Sequence, residues 1–201
     1  MNDLLKGYEL YGWQPDAGLS NDENFMDLCM IVTRSSKLKQ GSMACILVNE
    51  AKGQQQQQQQ REQPNAIATT DDACEAIVSL ANNRSLFSER DSDVHAEIAA
   101  LGEACRSGIP TQNATAYITM PPCKRCFAAL TVAGIRRIVT RYGPSPKLEE
   151  TATRNNIDWI KIPYQEEQMA RINTLIKGDS VGKKRKNHDT DEKSTEKSKY
   201  R

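Results

Sequence analysis

Apolar positions along this chain follow two rhythms, and their alternation predicts an α/β domain. Phe25, Met26, Leu28, Cys29, Ile31 and Val32 fall on one broad helical face, which predicts an amphipathic helix over 24–36. The run Ser42-Met43-Ala44-Cys45-Ile46-Leu47-Val48 is short and almost continuously apolar, as a buried strand is. A similar run over 74–80 predicts its partner strand, with the shorter Ala66-Ile67-Ala68-Thr69 as a weaker competitor. Downstream the pattern gives a helix over 94–106, a strand over 114–120 and a helix over 123–133 that stops at Gly134. A strand over 135–140, a helix over 146–155, a strand over 157–162 and a helix over 165–177 complete the body. Strands alternating with helices imply a largely parallel sheet, with the first two strands as an antiparallel hairpin. The fold class is therefore α/β, a three-layer α/β/α arrangement on a mixed five-stranded sheet.

Three segments fall outside this pattern. Residues 1–22 scatter Tyr8, Tyr11 and Trp13 among polar residues and glycines and read as an irregular arm. Residues 49–72 contain the pure glutamine run Gln54–Gln60, too polar to offset the entropy of ordering it, and read as a mobile surface insertion within a domain over 23–177. Residues 178–201 are polar, carry Lys183-Lys184-Arg185-Lys186, and read as a disordered basic tail. That basic cluster also fits nuclear import or loose nucleic-acid contact.

Hydrophobic residues make up 38% of the chain, and the deficit lies in those polar segments. No apolar stretch is long enough to span a bilayer, and Asp3 near the start argues against a secretory signal. A cytoplasmic protein without a membrane partner is expected. Six cysteines without scaffold spacing fit a reducing compartment, with Cys29, Cys45, Cys74 and Cys105 as small buried hydrophobes. The net charge of +1 hides a division: residues 177–201 carry nine basic and five acidic side chains, the rest eighteen and twenty-one. An acidic body favours a small substrate over a clamped nucleic acid.

The candidate chemistry lies in His95-Ala96-Glu97 and Pro121-Pro122-Cys123-Lys124-Arg125-Cys126. One histidine and two cysteines can give Zn²⁺ three ligands and leave its fourth position for water, the arrangement of a catalytic rather than a structural site. Cys123 and Cys126, three apart, share a helix face, and Pro122 suits a first helical turn. His95 and Glu97, two apart, reach one ion if they open a helix, with Asp91-Ser92-Asp93 supplying its N-cap. Two helix starts then face each other across the metal. A closed structural site would need a fourth ligand, and the candidates Cys29, Cys45, Cys74, Cys105 and His188 show no zinc-ribbon spacing.

His-x-Glu followed by Pro-Cys-x-x-Cys is the signature of zinc-dependent base deaminases, and on it the chain resembles the cytidine/deoxycytidylate deaminase superfamily. Over about 24–142 it looks most like the deoxycytidylate (dCMP) branch, through Asn24-Phe25-Met26, Arg34-Ser35-Ser36, the strand Met43–Asn49, Asn82-Asn83-Arg84 and Ala133-Gly134-Ile135. The resemblance implies a cytidine-deaminase-like fold, Zn²⁺ as cofactor held by His95, Cys123 and Cys126, and Glu97 as the proton carrier in deamination at C4 of cytosine. It also implies a sugar contact from Asn83 or Asn82, backbone contact to the base near Ala96, and a pocket wall stiffened by Pro121 and Pro122. A free pyrimidine nucleotide or nucleoside is the expected partner, with the chain as a homo-oligomer. The sequence departs from the branch where Leu80-Ala81-Asn82-Asn83 stands in place of Gly-Tyr-Asn-Gly, and the branch's extra zinc residues are not evident. An RNA-editing deaminase acting on a flipped-out base is the rival; a catalytically dead partner subunit is a second, opposed by the intact Glu97.

Overall fold

The computed structural model describes residues 7–36, 38, 41–49, 74–87, 89, 91–163 and 165–188, with side chains as far as 178. Apart from Asn49, the expected insertion over 49–72 lies outside them, as does the end of the tail. Five strands form one sheet: β1 (Ala44–Val48), β2 (Ile77–Asn82), β3 (Thr115–Ile118), β4 (Arg137–Thr140) and β5 (Asp158–Lys161), in the order β2-β1-β3-β4-β5. β1 is antiparallel to both β2 and β3, while β3, β4 and β5 are parallel. The sheet is thus mixed, and less parallel than a single leading hairpin predicts. β2 and β3 run the same way on either side of β1, so the connection between them steps over one strand.

Helix α1 (Asn21–Val32) packs on one face of the sheet, followed by a 3₁₀ turn at Thr33–Ser35. Its start lies inside the segment read as an irregular arm. Ser20 accepts a hydrogen bond from Glu23 N–H and the Glu23 carboxylate accepts one from Ser20 N–H, a reciprocal cap at the helix entry. Helices α2 (Ala96–Arg106), α3 (Lys124–Val132) and α4 (Pro146–Arg154) supply the core of the other face. There Ala99, Ala100, Ala104, Phe127, Leu130, Leu148 and Ala152 bury against Cys45, Leu47, Ala116, Ile118 and Ile138. Small residues along α2 let it lie close to β1 and β2.

The last helix, α5 (Glu166–His188), continues past 177, the end expected for it from the sequence. The physical reason is simple: no proline follows to stop it, and its lysines and arginine are good helix formers. With Tyr11–Trp13 it belongs to a compact unit distinct from the one that carries the sheet. No helix among the described residues is long and apolar enough to cross a membrane.

Candidate active site

Topology brings the two motifs together. Strands β2 and β3, which run the same way, end at Asn82 and Ile118, both beside the start of β1 and so at the same end of the sheet. The chain leaving β2 reaches His95, and the chain leaving β3 reaches Cys123, so α2 and α3 both begin beyond that end of the sheet. His95 is the N-cap of α2 and Cys123 the N-cap of α3. Each has extended backbone, with φ −68° and ψ 151° at His95 and φ −68° and ψ 166° at Cys123. Pro122 therefore stands just before the cap rather than in the first turn. Cys123 Sγ accepts from Cys126 N–H at 3.5 Å, which caps α3 and orients the sulfur.

His95 Nδ1 lies 3.4 Å from Cys126 Sγ and 3.8 Å from Cys123 Sγ, and the three ligand atoms all fall within 4.8 Å of one another. With zinc–nitrogen and zinc–sulfur bonds of ordinary length, a tetrahedron has edges of about 3.6 Å between nitrogen and sulfur. The donor set fits Zn²⁺. Electrostatics agree: burial, then the charge of the nearby Glu97 carboxylate, then contact with Cys123, push the Cys126 thiol far above its ordinary range. A divalent cation among these groups removes the repulsion that raises it. Among the described residues the cluster of candidate ligands consists of these three side chains.

Glu97, in the first turn of α2, is only 6% exposed. Its charge reaches Cys126 and, more weakly than burial does, the thiols of Cys29 and Cys45. Both thiols are fully buried and strongly raised, so they stay protonated and act as neutral wall. They are the buried cysteines the sequence predicts. Cys105 is exposed on α2 and Cys74 half-buried, which corrects the expectation for those two. Ala96 opens α2 and is 1% exposed, and Pro121 stands two residues before Cys123.

The two asparagines separate. Asn82 ends β2 opposite Ala44, and Asn83 is the first residue past the strand. Asn83 is buried and hydrogen-bonded; Asn82 Oδ1 has no hydrogen-bond partner among the described residues. Both line a cavity of about 660 Å³ beside β2, with Tyr8, Arg84 and Glu103 among its walls and none of the zinc set. Asp91-Ser92-Asp93 does not cap α2. Ser92 Oγ accepts from Asn83 Nδ2, and Asp93 Oδ2 accepts from the N–H groups of Leu86 and Phe87. Nothing in the local sequence signals these partners, because they arise only once β2 and α2 are side by side.

Residues 19–142 match the family described as "Cytidine and deoxycytidylate deaminase zinc-binding region". A deoxycytidylate deaminase of Enterobacteria phage T2 is 36% identical over 67 residues, 32% of this chain and 36% of that protein. A tRNA-specific adenosine deaminase of Buchnera aphidicola is 42% identical over 65 residues, 31% of this chain and 42% of that one. The chain thus matches well under half the length of these relatives. The crystal structure of the dCMP deaminase from cyanophage S-TIM5 superposes with a TM-score of 0.51 at 15% identity, covering 70% of this chain and 96% of that one. That likeness is one of fold.

Proposed function

The chain belongs to the cytidine and deoxycytidylate deaminase family, close to dCMP deaminase, and on that premise we propose that it deaminates the cytosine ring of a free nucleotide or nucleoside. A dCMP-like substrate and water would give a dUMP-like product and ammonia. The observation that carries this reading is the convergence of buried Glu97 with His95, Cys123 and Cys126 where α2 and α3 begin.

His95, Cys123 and Cys126 would hold the zinc, which when bound supplies Lewis-acid activation of water. Glu97 would take the proton released from water, deliver it to ring N3, and later help protonate the departing amine. Its burial keeps bulk solvent from competing for that proton. Ala96, at the start of α2, would orient the base through its backbone, and Pro121 would stiffen the facing wall. Of Asn83 and Asn82, the two matches to the family's sugar-contacting asparagine, Asn82 is the one whose Oδ1 has no hydrogen-bond partner among the described residues. The same reading includes assembly of several copies, which sedimentation would test.

The acidic excess of residues 1–176 supports a small substrate. The similarity to a tRNA-specific adenosine deaminase favours the second reading, an RNA base as target. Product analysis against dCMP, CMP, cytidine, deoxycytidine and an adenosine-containing tRNA separates them. Uridine-type products from the free pyrimidines support the proposal; inosine in tRNA with inert pyrimidines overturns it.

A further inference from the structure

Asn83 sits at a junction of three stretches of chain. It is 4% exposed, and its Oδ1 accepts from Met43 N–H at 2.8 Å. Its Nδ2 donates to the Gly41 carbonyl and to Ser92 Oγ, each at 2.8 Å, so both amide hydrogens are occupied. Gly41 and Met43 lead into β1; Ser92 lies three residues before His95. Gly41 has φ +65°, a left-handed conformation natural to glycine, so the carbonyl that Asn83 holds belongs to a turn a side chain would strain. One residue on, Arg84 and Val94 exchange two backbone hydrogen bonds of 3.0 Å. The chain from 84 to 94 closes on itself there and runs straight into His95.

His95 makes no side-chain bond to its own helix. The aim of its ring at Cys123 and Cys126 therefore depends on the path of 92–94. Resting on the deaminase reading, we infer that Asn83 is a positioning residue: through Ser92 it holds His95 in place for the metal, and it is not the sugar contact its place in the sequence implies. A sugar hydroxyl accepting from Nδ2 would have to displace Gly41 or Ser92 and leave a polar group without its partner, and one donating to the second lone pair of Oδ1 would have to reach a residue only 4% exposed.

Asn83→Ala and Ser92→Ala, measured without substrate, test this. Zinc affinity by chelator competition and the thiolate-to-cobalt absorption of the Co²⁺-substituted protein are the readouts. Asn83→Ala should hold zinc about 10–100-fold less tightly and Ser92→Ala less tightly by a smaller factor, with the cobalt bands shifted in both. Ser92→Ala indistinguishable from the parent in both readouts overturns the inference, whether or not Asn83→Ala folds. So does an Asn83→Ala protein with unchanged metal binding and only a raised KM. A parent protein that binds zinc but deaminates nothing would end the deaminase reading while leaving this positioning role standing.

Discussion

At the residue scale, the site turns on how four side chains divide their labour. Two sulfurs and one imidazole nitrogen match the edges of a zinc tetrahedron, and Glu97 stays outside that set. In the proposed site Cys126 would need a cation to ionise, because burial and the Glu97 charge both oppose its thiolate. Cys126→Ala should therefore drop the zinc content from about one per chain to well below it, while Glu97→Ala keeps it; metal analysis of the purified variants checks both. All four residues are legible in the sequence, since their types and spacing carry the chemistry. The roles of Ser92 and Asp93 are not. A serine and an aspartate before a helix read as caps, and only the neighbouring strand end and loop reveal that both side chains serve other partners.

At the scale of elements, helix ends place everything, and two of them make measurable claims. The Ser20–Glu23 cap fixes the start of α1, so Ser20→Ala should cost about 1 kcal/mol in urea unfolding. Its Ser-x-x-Glu pattern stood in the sequence, masked by the irregular residues before it. Next to it, Asp22 takes paired hydrogen bonds from Arg137 at the start of β4 and another from Tyr117 in β3. Burial works to raise the Asp22 carboxyl, but Arg137 and then Tyr117 hold it below its ordinary value of 3.8. A lowered folded pKa contributes stability that is complete above the ordinary value and lost as pH falls from there through the folded one. Arg137→Ala should thus cost about 1–2 kcal/mol at pH 7 and progressively less toward pH 3, measured by denaturant midpoints at both pH values. This link joins residues far apart in sequence, which is why periodicity finds both strands but not the tie between them.

For the molecule as a whole, the order β2-β1-β3 is what makes a site of two separate motifs. The alternation of strands and helices was readable, but not the antiparallel pairing of β1 with β3, since a pattern of buried strands carries no direction. Charge is distributed to match a small substrate, with the acidic excess in residues 1–176. If that reading holds, turnover of free dCMP should change little between 50 and 200 mM salt, whereas an RNA substrate would lose affinity steeply over that range. The central claim is hydrolytic deamination with Glu97 as proton carrier. Its most direct measurement is the dUMP and ammonia released from dCMP by zinc-loaded parent and Glu97→Ala proteins, with zinc content determined on the same samples. The account predicts equal amounts of both products from the parent and at least about a 10³-fold loss in a variant that keeps its zinc. A parent without activity on dCMP or the related pyrimidines, or a Glu97→Ala protein that still turns over, would contradict it.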